Sequence, residues 1–451
     1  MKSPELLLPA GGPERMRTAF DYGADAVYAG SPRYSLRARN NEFAKLDVLS
    51  DGIAEAHRRG KKFFLTCNTL PHNSKLKTFV ADMEPLVAMK PDALIMADPG
   101  LIMVTRERWP EMPIHLSVQA NTTNYWGVNF WQNIGVERII LSRELSMEEI
   151  AEIRQECPDI ELEVFVHGAL CIAYSGRCLL SGYFNHRDPN QGTCTNSCRW
   201  DYKVHDTQID DMGDAKLLEG FDFNKAQEEA NQAFEGINGQ KRHPKADKIF
   251  LLEESNRPGE YMPIMEDEHG TYIMNSKDLR AVEQVAELAK IGVDSLKVEG
   301  RTKSVYYVAR VAQAYRKAID DAVAGRPFDY GLLAELEGLA NRGYTTGFLE
   351  RHQTQEYQNY LEGHSLSKQS QYVGQVSAID ADGWATVDVK NRFAVGDTLE
   401  IIHPQGNQTV VLQAMKRGGE AADVAPGNGI QVQIPDMQGK EKALVARILN
   451  P

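Results

Sequence analysis

Short apolar runs alternate with amphipathic stretches over the first 300 residues of the chain. Eight runs bounded by turn residues have the length and side chains of β-strands, at 5–8, 26–29, 62–66, 93–97, 114–118, 138–141, 162–166 and 295–298. The stretches between the first seven have helical periodicity, and Ser146 and Glu149 open one of them with capping-box spacing. This alternation predicts an α/β protein with a closed (β/α)8 barrel, and an open doubly wound sheet is the alternative.

The pattern changes twice after the seventh run. Residues 203–256 are polar and acid-rich, which predicts an insertion that folds partly on its own or acts as a lid. Helices are predicted over 304–324 and near 332–340, and alternating segments over 372–448 predict a small antiparallel β-barrel domain. The predicted domains are a TIM-like barrel at 1–202 and 257–365, the insertion at 203–256, and the C-terminal domain at 366–451.

Polar residues follow the predicted strands, at the ends that gather on one face of a barrel and carry its chemistry. The candidates are Asn68, Gln119, Asn121, Arg143, Glu144, His167, Glu299 and Arg301. The alternative for the asparagines is that they only make turns. For Arg143 and Arg301 it is a salt bridge across the rim with Glu144 or Glu299.

Charge and hydropathy limit the kinds of binding partner that the chain can have. The 451 residues include 50 basic and 63 acidic side chains, a net charge of −13, which argues against broad adhesion to nucleic acid or anionic membrane and leaves room for a local basic site. No run reaches the roughly 18 apolar residues of a membrane span, and the first residues lack the basic region of a signal peptide. The sequence therefore predicts a cytoplasmic protein with no membrane partner.

Four of the six cysteines follow the seventh predicted strand within 28 residues, at Cys171, Cys178, Cys194 and Cys198. Such a cluster in a cytosolic chain indicates a metal or redox site. The irregular spacing suits an iron–sulfur cluster at least as well as zinc, and free or buried thiols are the third alternative. Cys67 and Cys157 are expected to be structural.

The segment around these cysteines resembles the signature of the collagenase-like peptidase family U32, through Glu163, 167–169, Cys171, 174–178 and Ser181. The segments at 4–11, 117–121 and 297–301 are similar to that family as well. Within it, 266–281, 315–321 and the C-terminal domain are most similar to members that act on tRNA. The resemblance implies an enzyme with an iron–sulfur cluster, of the 4Fe-4S type, that forms 5-hydroxyuridine at the wobble position and depends on prephenate.

The resemblance also suggests roles for the candidate residues. Cys171, Cys178, Cys194 and Cys198 are the expected cluster ligands. The expected catalytic residues are His167, Arg143 and Glu144, and the expected substrate-binding residues are Asn68, Gln119, Asn121, Arg177, Lys297 and Arg301. Prephenate carries two carboxylates, so arginine and lysine are suited to bind it. For tRNA, basic and aromatic residues suited to a stacked base and its phosphates occur at Arg33, Tyr34, Arg37, Arg39, Arg199, Trp200, Lys241 and Arg242.

Three other functions remain open at this point. A related hydroxylase could act on ribosomal RNA or on a quinone precursor. The peptidase of the family label lacks support, because the sequence has neither a serine nucleophile elbow nor an HExxH motif. The third is a non-catalytic RNA-binding protein with a structural zinc, which would be colourless when purified.

Overall fold

The structure is a computed structural model. It describes residues 2–35, 41–71, 73–169, 202–209, 215–217, 249–254, 259, 261–267, 270–273, 278–300, 304–339, 343–350, 370–427 and 429–449. The chain divides into two compact units, one of Met1–His167, Ala281–Ala340 and Ser367–Pro451, the other of Gly168–Arg280 and Asn341–Leu366. The domain boundaries given above stay a prediction.

Eight parallel strands form a closed barrel in the first unit. They are β1 (Glu5–Pro9), β2 (Ala26–Gly30), β3 (Lys62–Cys67), β4 (Ala93–Met96), β5 (Ile114–Leu116), β6 (Arg138–Ile140), β7 (Glu161–Ala169) and β8 (Ser295–Val298). Strand β8 pairs with both β1 and β7, which closes the sheet. The predicted barrel is confirmed, and the open-sheet alternative is wrong.

Helices connect and surround these strands. They are α1 (Pro13–Asp21), α2 (Leu46–Arg58), α3 (Asn73–Leu76), α4 (Phe79–Ala88), α5 (Pro99–Arg108), α6 (Tyr125–Asn133), α7 (Met147–Glu156), α8 (Val285–Ile291), α9 (Val305–Val323) and α10 (Gly331–Glu337), with short 3-10 turns at Glu42–Ala44 and Val118–Ala120. The predicted capping box of α7 is present, with Ser146 Oγ accepting from Glu149 N at 3.3 Å and Glu149 Oε2 from Ser146 N at 2.8 Å. Within the part of the chain that the structure describes, no helix is both long and apolar enough to cross a membrane.

The C-terminal part of this unit is antiparallel, as predicted. Its strands are β9 (Ser370–Ile379), β10 (Ala385–Val389), β11 (Phe393–Ala394), β12 (Thr398–Ile402), β13 (Gln408–Val411), β14 (Lys416–Arg417), β15 (Glu420–Ala421), β16 (Val424–Ala425), β17 (Gln431–Ile434) and β18 (Leu444–Ile448). One sheet has the order β13-β12-β18-β9-β10-β17-β14-β15, and β11 pairs with β16. Alternate strand residues such as Val387, Leu399 and Val445 form one apolar core.

Partly buried contacts of α9 join the barrel to this domain. Arg310 of α9 donates to both carboxylate oxygens of Glu400 of β12, at 2.9 and 3.0 Å. The rings of Tyr306 and Tyr372 stack with centroids 5.3 Å apart. Such a paired fork restricts both side chains, so these contacts hold the C-terminal sheet against α9.

The second unit contains an antiparallel five-stranded sheet. Its order is Gly270–Ile273, Tyr261–Asp267, Ile249–Glu254, Tyr202–Ile209 and Ala215–Leu217. The strands Asp278–Arg280 and Tyr344–Thr345 pair in parallel. The polar stretch at 203–256 therefore contributes strands to this sheet.

Candidate active site

Three loops at the carboxyl ends of the barrel strands are joined through two serines. Asn68, after β3, donates from Nδ2 to Ser117 Oγ at 3.2 Å, and Ser117 Oγ also accepts from Gln119 N at 3.4 Å. After β6, Ser142 Oγ donates to Asn121 Oδ1 at 3.3 Å. Asn121 has φ of 55°, in the left-handed region that asparagine tolerates. The predicted binding residues Asn68, Gln119 and Asn121 thus share one hydrogen-bonded rim.

Arg143 lies in the loop after β6 and faces the end of β8. Its guanidinium stacks over the Phe165 ring at 3.9 Å from the centroid, and its Nη2 lies 3.7 Å from Glu299 Oε2. The salt bridge across the rim, considered from the sequence, is therefore present with Glu299. Glu144 is buried in the same loop. This end of the barrel brings together a stacked cation and two carboxylates.

His167 is buried beside two tyrosines of α9. Its ring lies 5.8 Å from that of Tyr307 and 5.4 Å from that of Tyr315. The Tyr315 hydroxyl donates to the Val166 carbonyl oxygen at 2.7 Å, so toward His167 Nδ1, 3.3 Å away, the Tyr315 oxygen must accept. This arrangement assigns the neutral imidazole its proton on Nδ1 and makes Nε2 the basic nitrogen.

The two tyrosines are site residues that the sequence analysis missed. Tyr307 also donates from its hydroxyl to the Glu299 carbonyl oxygen at 2.9 Å, and Tyr28 of β2 does the same to Val298 at 3.0 Å. Three tyrosines therefore fix the backbone at the ends of β7 and β8. The available signal was the 307/315 spacing, two turns apart on one amphipathic helix.

Lys297 is placed inside the barrel with a protein carboxylate. Its Nζ lies 2.7 Å from Glu163 Oε1 and 4.4 Å from the centroid of the Tyr28 ring. Both Lys297 and Glu163 are buried. Burial lowers the pKa of Lys297, and the charge of Glu163 opposes that shift only in part. In this structure the anion next to Lys297 is Glu163.

Further charged pairs continue from Glu163 toward the amino ends of the strands. Arg138 Nη1 lies 3.1 Å from Glu163 and 2.6 Å from Glu5, and its Nη2 lies 2.7 Å from Glu161. Lys62 contacts the other oxygen of Glu5 at 3.0 Å. Burial acts to lower the pKa of Arg138, but the surrounding carboxylates outweigh it and raise that pKa. The barrel interior is therefore charged and internally paired.

Tyr34 and Arg33, expected to contact RNA, pack against α4. Tyr34 is 1% exposed, and its ring meets that of Phe79 edge-on at 5.2 Å. Arg33 Nη1 donates to both oxygens of Asp82, at 2.9 and 3.0 Å. The expectation that Tyr34 stacks on an RNA base is wrong, because no face of a buried ring is open to a base.

The cysteine cluster and several basic residues are outside the described residues. These are Cys171, Arg177, Cys178, Cys194, Cys198 and Arg301, together with Arg37, Arg39, Arg199, Trp200, Lys241 and Arg242. Over the described ranges, no three His, Cys, Asp or Glu side chains are arranged to hold a metal ion. Cys67 and Cys157 are buried free thiols, and burial raises the pKa of Cys67 to about 12. A thiol with so high a pKa is a poor ligand or nucleophile.

Together these features define a (β/α)8-barrel protein with a polar, tyrosine-braced site at the carboxyl ends of its strands and an antiparallel C-terminal domain. The family model "Peptidase family U32" matches residues 11–359, and "Peptidase family U32 C-terminal domain" matches residues 368–447. The chain belongs to peptidase family U32.

Several relatives of this chain have names that describe RNA chemistry. The tRNA hydroxylation protein P of Escherichia coli is 58% identical over 98% of this chain and 95% of its own length. The protein of the same name from Haemophilus influenzae is 56% identical over 99% and 96%. A 23S rRNA 5-hydroxycytidine synthase of Escherichia coli is 29% identical over 71% of this chain and 40% of its own length.

Proposed function

We propose that this protein hydroxylates tRNA, forming 5-hydroxyuridine at the wobble position in a prephenate-dependent reaction. The observation that carries the proposal is the identity of 58% and 56%, over nearly the whole of both chains, with relatives named tRNA hydroxylation protein P. The uridine product and prephenate come from the family resemblance of the sequence motifs. A tRNA substrate agrees with the cytoplasmic location expected from the sequence.

The rim supplies groups suited to a small dianion. The Arg143–Glu299 distance of 3.7 Å is longer than a charge-assisted hydrogen bond, so a ligand carboxylate can compete for this guanidinium. Asn68, Gln119 and Asn121 offer amide donors on the same rim, and we assign Arg177 and Arg301 to further anionic contacts. We assign Lys297 a supporting role through Glu163, since the two are paired inside the barrel.

His167 is the proposed proton carrier. With its proton on Nδ1 held by Tyr315, the ring is oriented and Nε2 can accept a proton from a reacting group. Arg143 and Glu144 lie in the loop after β6, the strand that pairs with the strand of His167. We assign them to stabilise charge that develops on the substrate. Tyr307 and Tyr315 pack against the buried ring and help to fix its orientation.

The proposed cofactor is a 4Fe-4S cluster on Cys171, Cys178, Cys194 and Cys198. The donor set fits the group, because four thiols within 28 residues match the number and softness of ligands that iron–sulfur clusters take. When bound, such a cluster supplies the redox chemistry that side chains lack. Of the six cysteines, the two described ones have protein contacts of their own: Cys67 contacts Met83, and Cys157 contacts Asn129.

Nucleoside mass spectrometry of tRNA from cells lacking the protein tests the proposal. We expect 5-hydroxyuridine-derived nucleosides to disappear and to return with the wild type but not with Cys178→Ser. Cys157→Ser is the matched control, because a hydroxyl can keep the hydrogen bonds of the buried Sγ to Tyr125 O and Asn129 Oδ1. Unchanged tRNA nucleosides after deletion, in cells with no redundant enzyme, would exclude the proposed function.

The cofactor and prephenate need separate measurements. Anaerobically purified protein is expected to be brown and to contain iron and sulfide, whereas a colourless zinc protein would contradict the cluster. Undermodified tRNA incubated with this protein is expected to gain 5-hydroxyuridine only when prephenate is added. Equal product without prephenate would remove it from the reaction.

Ribosomal RNA is the second candidate substrate, favoured by the 29% identical rRNA hydroxycytidine synthase. The same deletion strain distinguishes the two. A hydroxylated nucleoside lost from rRNA, with tRNA unchanged, would transfer the function to the ribosome.

A further inference from the structure

The loop after β3 exposes apolar and basic side chains together. This segment, residues 69–71 and 73–78, includes the short helix α3 and is called the β3 loop below. Leu70 is 61% exposed and Leu76 is 42% exposed, and Lys75 and Lys77 on either side of Leu76 are exposed as well. A single exposed leucine is ordinary, but two leucines interleaved with lysines beside a candidate site indicate a contact surface.

The backbone of the β3 loop is held in place from below by Tyr34. The Tyr34 hydroxyl lies 2.8 Å from Asp82 Oδ2 and 3.2 Å from the Lys75 carbonyl oxygen. Its own carbonyl oxygen accepts from Thr69 N at 2.9 Å. A positioned backbone lowers the entropy lost when exposed side chains bind a partner. Tyr34 therefore contributes as a support for the loop.

The start of the loop belongs to the candidate active site. Asn68 immediately precedes it and is tied to Ser117 on the rim at 3.2 Å. Asp82, which accepts a hydrogen bond from Tyr34 beside this loop, also accepts two from Arg33, and this cation neutralises it. Asp82 therefore does not cancel the charge of Lys75 and Lys77. The loop presents local positive charge on a chain whose net charge is −13.

We propose, resting on the function proposed above, that the β3 loop is a tRNA-contacting surface of this enzyme. Lys75 and Lys77 neutralise backbone phosphates of the anticodon arm, and Leu70 and Leu76 pack against base or ribose faces of its unpaired nucleotides. Unpaired RNA exposes such apolar faces next to phosphates, which is the pattern of side chains in this loop. Because the chain as a whole repels a polyanion, contacts of this kind must be local.

Salt-dependent binding tests the two lysines. Full-length protein and its tRNA are titrated between 50 and 200 mM KCl, comparing wild type, the Lys75→Ala/Lys77→Ala variant and Lys290→Ala. Lys290 is a matched control, exposed in the last turn of α8 at the opposite end of the barrel. Loss of two phosphate contacts lowers the slope of log K against log[salt] by about 1.4–1.8, which is about 25- to 60-fold in affinity at 0.1 M.

The leucines are tested by Leu70→Ser and Leu76→Ser, which are expected to weaken tRNA binding several-fold with the salt slope unchanged. If the Lys75→Ala/Lys77→Ala variant keeps the wild-type slope of log K against log[salt], the proposed tRNA surface is wrong. If the serine variants keep the tRNA affinity of the wild type but change self-association measured by light scattering, the β3 loop is a protein interface and the proposed tRNA surface is wrong.

These experiments distinguish an error in the proposed tRNA surface from an error in the proposed function. Variants that bind and hydroxylate tRNA like the wild type remove only the β3 loop from the interface. If the wild-type protein neither binds tRNA nor affects its nucleosides, both the proposed surface and the proposed function are wrong.

Discussion

Replacing Lys297 with methionine tests the buried charge inside the barrel. Lys297 is 3% exposed and Glu163 is fully buried, with their charged atoms 2.7 Å apart. Methionine keeps most of the length that packs against Tyr28 and Phe165 and removes only the ammonium group. Among the described residues, Glu163 then keeps one cationic partner, Arg138, at 3.1 Å.

The expected loss of stability follows from that residual partner. Removing one member of a buried ion pair costs about 3–5 kcal/mol, because the other charge stays desolvated. Since Arg138 still compensates Glu163, we expect the lower end, about 3 kcal/mol. In a domain of this size each kcal/mol lowers the melting temperature by about 2–4 °C, so a fall of about 6–12 °C follows. The Lys297→Met/Glu163→Leu protein removes both charges and is expected to recover part of the loss.

Urea unfolding followed by circular dichroism measures this loss, and the KM for prephenate, the proposed co-substrate, is determined on the same variants. A positioning role for the pair predicts a large loss of stability with little change in KM. If Lys297→Met lost less than about 1 kcal/mol while KM rose tenfold, Lys297 would bind substrate directly and the structural reasoning would be refuted.

Three further perturbations test other parts of the structure. Burial, and after it the surrounding cations, lowers the pKa of His115 well below its usual 6.5. Because the unfolded protein then binds a proton at this histidine more readily than the folded protein, stability is lost as pH falls below about 6.5. Comparing urea midpoints at pH 5 and 7, we expect His115→Phe to lose less stability on acidification than wild type, by up to about 1.4 kcal/mol per pH unit, and equal losses would contradict this. Arg310→Met leaves the half-buried Glu400 without its fork and is expected to cost up to about 3 kcal/mol. It is also expected to separate the C-terminal sheet as its own calorimetric transition, and one unshifted transition would speak against that role. Ser146→Ala removes the cap of α7 and is expected to cost about 1 kcal/mol in urea unfolding, while Ser146→Thr keeps most of it.

The barrel was predictable because its evidence is local in sequence. A parallel strand buried on both faces gives a short continuous apolar run, and Leu6, Leu7 and Leu8 of β1 are all fully buried. The capping box of α7 likewise depends on two residues three apart, Ser146 and Glu149. The rim positions followed from the barrel, since strand ends fix which loops meet.

The partners of individual side chains were not predictable in the same way. Tyr34 stands between basic residues, which suggested a surface for RNA, and only its contacts with Phe79 and Asp82 show that the ring is buried. Lys297 has the composition of an anion-binding residue, yet its partner Glu163 is 134 positions away in sequence. Contacts at that separation leave no periodic trace in the sequence.

The pairing of charges bears on how this acidic protein would bind its proposed RNA substrate. One network of ion pairs runs from the buried Lys297, Glu163 and Arg138 to the exposed amino ends of the strands. Its three cations and three carboxylates balance, namely Lys62, Arg138, Lys297, Glu5, Glu161 and Glu163. At the rim, Arg33 is neutralised by Asp82 and Arg143 faces Glu299. Within the described chain, Lys75 and Lys77 form no such ion pair, so their charge reaches solvent uncompensated. Salt screens electrostatic interactions beyond about 8–10 Å. A phosphate within that distance of the two lysines is therefore attracted by them more strongly than it is repelled by the distant acidic groups of the chain.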